Sequence, residues 1–236
     1  MNFWPSREWI IALECTDRPA RGPMAKPSRK SAKPPKAPTK KGKRAIGASA
    51  EPTRTFKTAG DFASWLEKNH SRSSGVWARI AKKGGGRKSM TYQEGLEVAL
   101  CYGWIDALKR PQDESAWLQR FVPRRPKSLW SRINREKALA LIERGEMKAA
   151  GHAEIERAKG DGRWDAAYDS PAKASVPPEL ETALAGNPKA KAFFEQLDRI
   201  NRYAIIWRIQ TATKPETRER RLSALLEMLE KGQTLH

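Results

Sequence analysis

From Thr53 onward the apolar and polar positions fall into short, changing periods, and each period predicts an element. Residues 53–57 form a short strand candidate. Thr58, with Asp61 three residues later, makes a helix N-cap arrangement ahead of Phe62, Trp65 and Leu66, which share one helical face. After Gly75, Val76, Ala78 and Ile80 alternate with Trp77 and Arg79, the period of a half-buried strand. Thr91 and Glu94 repeat the capping pattern before Leu96, Ala99 and Leu100, and Gly103 stops that helix. Residues 104–108 and 116–122 read as two strands of a hairpin turning through Arg110-Pro111-Gln112-Asp113-Glu114. The order β-α-β-α-β-β predicts an α+β fold over residues 53–126, a small sheet of about four strands with two helices.

The remainder, residues 127–236, reads as helical throughout and is expected to pack on the α+β region as one folded unit. Ser128 stands where it would cap a helix running to Gly145, with Trp130, Ile133, Leu141 and Ile142 among its apolar positions. A short helix ends near Gly160, and another covers residues 178–186. Asn187-Pro188 supplies a cap and an N1 proline for one long helix, whose stripe is Phe193, Leu197, Ile200, Ala204 and Trp207. The last helix opens at Thr213 with Glu216, carries Leu222, Leu225 and Leu229, and stops at Gly232.

The first 52 residues break this patterning. Between Arg18 and Arg44 stand eleven Lys or Arg residues and no acid, in a setting of Pro, Ala, Ser, Thr and Gly. A segment of that kind buries too little apolar surface to offset its ordering entropy, so residues 1–52 are expected to be a disordered basic arm. Met24-Ala25-Lys26-Pro27 reads as a natural start to the arm, which would make residues 1–23 an over-extended reading frame. The chain carries a formal charge of +19, and the residues after 52 still hold 34 basic against 23 acidic side chains. Such an excess suits polyanions, and it also serves plain solubility. The arm has no aromatic residue between Arg18 and Arg44, so any nucleic-acid contact through it would be phosphate-driven and nonspecific.

Further chemistry is sparse. Cys15 and Cys101 are the two cysteines, one in the arm and one at the end of a helical pattern, and no disulfide is expected between them. No apolar run reaches the ~18 residues of a transmembrane helix, and no export signal is legible, which points to the cytoplasm. H-E-x-x-H, C-x-x-C and G-x-S-x-G are missing, and no cofactor or metal is expected. Gly84-Gly85-Gly86-Arg87-Lys88-Ser89 departs from a phosphate loop, because Arg87 stands where the motif needs glycine; it reads as a strand-to-helix connection. Charge concentrates in two places. Arg120, Arg124, Arg125, Lys127, Arg132, Arg135 and Lys137 interleave with Phe121 and Trp130, while Lys214, Arg218, Arg220 and Arg221 crowd the start of the last helix. Cations there oppose the helix dipole, so they imply either a nearby carboxylate network or an anionic partner.

Several blocks resemble a known family. Thr91-Tyr92-Gln93-Glu94 with Ala99-Leu100-Cys101-Tyr102-Gly103-Trp104-Ile105-Asp106 is one. Phe121-Val122-Pro123-Arg124-Arg125 leading into Ser128-Leu129-Trp130-Ser131-Arg132-Ile133-Asn134 is another. Residues 158–164 (Ala-Lys-Gly-Asp-Gly-Arg-Trp) and 217–221 (Thr-Arg-Glu-Arg-Arg) continue the series. Together they resemble the YdeI/OmpD-associated, bacteriocin-protection family over residues 53–233, with Gly95 standing where alanine is expected. The resemblance implies a role in resistance to bacteriocins or antimicrobial peptides, with no catalytic mechanism attached. The residues it singles out are Trp104, Asp106, Arg124, Arg125, Trp130, Asn134, Arg163, Arg218 and Arg221. Asp106 with Arg124, Arg125 or Arg163 reads either as a buried ion-pair network at the sheet–helix junction or as a pocket for a carboxylate or phosphate. Three functions follow: a noncatalytic stress or resistance protein binding an anionic ligand or partner, a nonspecific nucleic-acid-associated protein, or an enzyme with an Asp/Arg-lined site.

Overall fold

The computed structural model describes residues 51–84 and 88–235. The basic arm up to residue 50, the alternative start at Met24, and residues 85–87 of the glycine-rich run lie outside the described residues. The α+β region follows the predicted order: β1 (Thr53–Arg54), α1 (Ala59–Asn69), β2 (Val76–Ala81), α2 (Tyr92–Cys101), β3 (Trp104–Pro111) and β4 (Ala116–Pro123). Both capping boxes form. The Asp61 amide donates to the Thr58 hydroxyl at 3.1 Å, and the Thr58 amide donates to the Asp61 carboxylate at 3.0 Å. The matching pair at Thr91 and Glu94 spans 3.2 Å and 2.7 Å.

The strands lie in the order β1-β2-β4-β3, with β1 parallel to β2 and the other pairings antiparallel. Register sets the two faces. Val76 pairs with Phe121, and Phe121 with Asp106, so these three side chains share the face on which α1 and α2 pack. Phe62 of α1 meets Phe121 there at a ring separation of 5.2 Å. Gly95 on α2 has a physical reason: an added Cβ would come within 3.1 Å of both Met90 Cε and Phe121 Cζ. The opposite face of β2 is more covered than a half-buried strand implies. Arg110 lies 3.5 Å over the Trp77 ring, and Arg79 donates to the Ser115 hydroxyl at 2.8 Å. Long cationic side chains, Arg79 of β2 itself and Arg110 of β3, lie on that face.

Six helices follow: α3 (Arg132–Glu143), α4 (Ala149–Gly160), α5 (Pro178–Ala185), α6 (Pro188–Gln196), α7 (Arg199–Gln210) and α8 (Pro215–Glu230). Three boundaries differ from the sequence reading. Ser131, not Ser128, caps α3, because Trp130 and Tyr168 are joined backbone to backbone and hold the chain extended up to residue 131. The expected long helix from Asn187 is two helices. Leu197 is extended and Asp198 caps α7 by accepting from the Asn201 amide at 2.7 Å, which turns the chain and leaves Ile200 49% exposed. The last helix opens at Pro215, with Lys214 rather than Thr213 at the cap position.

Apolar burial separates into two clusters. One joins the sheet and helices α1 to α4, from Phe56 to Ala167; the other joins α5 to α8, from Leu180 to Leu229. Tyr168 and Asp169 bridge them. The Tyr168 ring meets Trp207 edge-on at 6.1 Å, the Tyr203 hydroxyl donates to the Asp169 carbonyl at 2.9 Å, and the Gln210 amide donates to the Asp169 carboxylate at 2.8 Å.

Candidate anion-binding site

β4 ends at Pro123, and the chain then makes a turn closed by Ser128, whose hydroxyl accepts from the Arg125 amide at 2.9 Å. This turn decides which arginine enters the protein. Arg125 is exposed, while Arg124 is 94% buried, with its guanidinium 3.7 Å above the centre of the Trp130 ring. Arg124 Nη1 donates to the Leu129 carbonyl at 3.0 Å. Its Nε and Nη2 are closed off from solvent and find no acceptor among the described residues. These two nitrogens form the side-on edge of the guanidinium, the fork that matches a carboxylate or phosphate. Burial pushes the Arg124 pKa down to about 9, with nearby Tyr168 and Asp106 opposing that effect. It is a cation whose lost hydration is only partly replaced.

Further polar groups of the protein are buried too. Trp130 Nε1, Asn134 Oδ1 and Arg163 Nη2 likewise lack a partner among the described residues, and all three side chains are at least 95% buried. Asn134 sits in the first turn of α3; Trp130 lies just before that helix, not within it as the sequence reading had it. Asp106 reaches the corner from β3 and accepts from the Tyr92 hydroxyl at 3.0 Å. Burial first, then the Asp106 charge, push the Tyr92 phenol upward. Burial and Asp106 likewise raise the Tyr168 phenol to about 12, against the pull of Arg124. Tyr203 on α7 is raised by burial and by Tyr168 and Asp169. The corner therefore lies where the two apolar clusters meet, a setting that favours ligand sites.

Arg163, expected beside Asp106, is instead anchored to other acids. Its Nε lies 2.8 Å from the Asp161 carboxylate, its Nη1 3.4 Å from Glu154, and Nη1 also donates to the Ser128 carbonyl at 2.7 Å. Glu154, on α4 and 94% buried, pairs with Arg157 as well. Glu154 thus centres an ion network with Arg157 and Arg163, and Arg124 presents a guanidinium edge without an acceptor among the described residues. Trp104 belongs to the core, 99% buried, with its indole N–H donating to the His70 carbonyl at 3.2 Å.

Arg218 and Arg221 are placed elsewhere, against the C-terminal end of α7. Arg218 Nη2 donates to the Ala212 carbonyl at 3.1 Å and Arg221 Nη1 to the Arg208 carbonyl at 2.9 Å. Cations there meet the negative end of the α7 dipole, which offsets their position in the first turns of α8. Arg218 also faces Glu179 at 3.5 Å across an open cleft of about 350 Å³ lined by Thr213, Pro215 and Leu222. Among the described residues no His, Cys, Asp and Glu group converges to hold a metal ion, and no helix is long and apolar enough to cross a membrane.

Comparison with protein families divides the chain along the same line as its apolar clusters. Residues 173–232, which hold α5 to α8, match the family described as bacteriocin-protection, YdeI or OmpD-associated. That segment is similar to the YdeI/OmpD-associated family. Residues 54–154 match a separate family described only as a domain of unknown function, DUF8412. The YdeI/OmpD-associated match is thus narrower than the sequence blocks implied: the Asp106 and Trp130 blocks lie in the other match, and Arg163 and Tyr168 lie between the two. No curated protein and no solved structure matches the chain. Tyr92, Glu154, Arg157 and Tyr168 belong to the corner but were not singled out from sequence. Glu154 and Arg157 carried the available signal, an acid and a base three residues apart on a helix.

Proposed function

We propose that this chain is a noncatalytic, cytoplasmic resistance protein of the YdeI/OmpD-associated type, and that it acts by binding an anionic ligand at the Arg124 corner. One observation carries the reading: a guanidinium that is 94% buried keeps its side-on edge closed to solvent and without an acceptor among the described residues. Leaving such N–H groups unmade is costly, and an anion docked on that edge removes the cost. The family description supports the resistance role. The chain's charge of +19 argues against direct capture of cationic peptides, which it would repel. An anionic ligand fits both the corner and the charge.

Native mass spectrometry of protein purified from its own host tests this. The expected result is a small anionic adduct on the wild-type chain that is absent from Arg124→Gln, with bacteriocin sensitivity rising in cells that carry only the variant. A wild-type chain that carries no adduct, and whose melting temperature no added anion raises, refutes it.

A further inference from the structure

The open edge of Arg124 is specific enough to select among anions. Two other arginines of this protein show what the same edge accepts. Arg120 holds Glu51 through Nε at 2.6 Å and Nη2 at 2.5 Å. Arg144 holds Glu146 through Nε at 2.8 Å and Nη2 at 3.3 Å. In both, two parallel N–H groups face the two oxygens of a planar carboxylate. At Arg124 the same two nitrogens are buried and have no acceptor among the described residues, and the Trp130 ring lies 3.7 Å from the guanidinium.

The charges of the corner limit what the edge takes. Arg157 is paired with Glu154, and Arg163 with Glu154 and Asp161. Asp106 lies close enough to Arg124 for its charge to be felt there. A dianion would add two negative charges to a water-poor corner whose own charges already largely compensate one another, and an uncompensated buried charge is strongly unfavourable. A monoanion adds the least charge that the fork still recognises. The surroundings are aromatic: Trp130 meets Trp164 edge-on at 4.8 Å, and Tyr168 meets Trp207 at 6.1 Å.

We infer that the anion taken at Arg124 is a small monocarboxylate carried on an apolar or aromatic body, bound side-on through Nε and Nη2. This rests on the anion-binding reading above and narrows it to one ligand class.

Isothermal titration of the full chain at constant ionic strength tests it, with sodium benzoate, benzamide, sodium phosphate and sodium sulfate as probes. Benzoate is expected to bind at least tenfold more tightly than phosphate or sulfate, with benzamide showing no binding and Arg124→Gln losing the benzoate signal. In wild-type protein labelled with ¹⁵N-arginine, one Nε–H resonance is expected to shift with benzoate and not with benzamide, a readout that does not depend on the variant folding. Phosphate or sulfate binding as tight as benzoate, lost in Arg124→Gln, overturns the monocarboxylate assignment and leaves the anion-binding reading standing. Binding of none of the four overturns it too, and if the purified chain also carries no anion, both fall together.

Discussion

Replacing Gly151 by alanine should destabilise the protein by a net ~1–3 kcal/mol, although the same change usually favours a helix. Gly151 lies in the first turn of α4 where it crosses the C-terminal end of α2. A Cβ there would stand 2.4 Å from the Cys101 carbonyl oxygen, 2.9 Å from that of Leu100 and 2.3 Å from Met147 Sδ. The thioether can swing away; the two carbonyls belong to a helix end whose side chains are 98% and 93% buried. Ordinary contact requires the two helices to part by about 1 Å, and a gap of that order forfeits roughly a quarter to a half of each dispersion contact along the seam. Overpacking costs ~1–3 kcal/mol, and stretching the Lys148 amide bond to the same Cys101 carbonyl, now 3.1 Å, adds ~1 kcal/mol. Removing a helical glycine returns at most ~1 kcal/mol. Gly160 is the control: it ends the same helix and an added Cβ meets nothing within 4 Å, so Gly160→Ala should be neutral or slightly stabilising. Urea titrations of the two variants and the wild type, followed by tryptophan fluorescence, give the comparison. Equal stability of Gly151→Ala and Gly160→Ala would mean that the helix crossing is not as close as described. Because α4 also carries Glu154 and Arg157, Gly151→Ala should weaken binding at the Arg124 corner as well.

Two further outcomes follow from local geometry. Arg120 holds the Glu51 carboxyl below its ordinary pKa, chiefly through their hydrogen bonds, so this group contributes stability above the unfolded-state pKa and loses it as pH falls through the lower folded-state value. The stability difference between wild type and Arg120→Leu should accordingly shrink as pH is lowered below about 4; a difference that is constant or grows in acid denaturation curves contradicts the pairing. Asp198→Ala removes the cap of α7 and should cost ~0.5–2 kcal/mol in thermal melts, whereas a helix running unbroken through residue 198 would gain from alanine.

Local signals carried the α+β half of this protein a long way. Thr58 with Asp61 and Thr91 with Glu94 placed two helix starts, because a capping box is satisfied within four residues and needs no distant partner. The alternation at Val76, Ala78 and Ile80 likewise placed β2, since the period of two belongs to the backbone itself. Where two local signals competed, tertiary structure chose. Both Asn187 and Asp198 can cap a helix; packing of Phe194 and Leu197 into the second apolar cluster, with the chain turned at Leu197, made both caps real and cut the apparent stripe in two. Ser128 read as the cap in sequence, but the backbone bridge between Ser131 and Tyr168 holds the chain extended to residue 131, and Ser131 caps the helix instead.

The candidate site shows the same division. Its chemistry was legible in the sequence as an acid and several arginines near tryptophans, because residue type limits what a side chain can bind. Which arginine enters was not legible, since Arg124 and Arg125 are chemically identical and only the turn after Pro123 buries one and exposes the other. Arg163 found Glu154 on a helix the sequence had not connected to it, and Arg218 and Arg221 found the carbonyls ending α7. A charge in sequence has only its neighbours for context; its partner is set by whichever elements pack against it, and the elements meeting at Tyr168 are far apart along the chain.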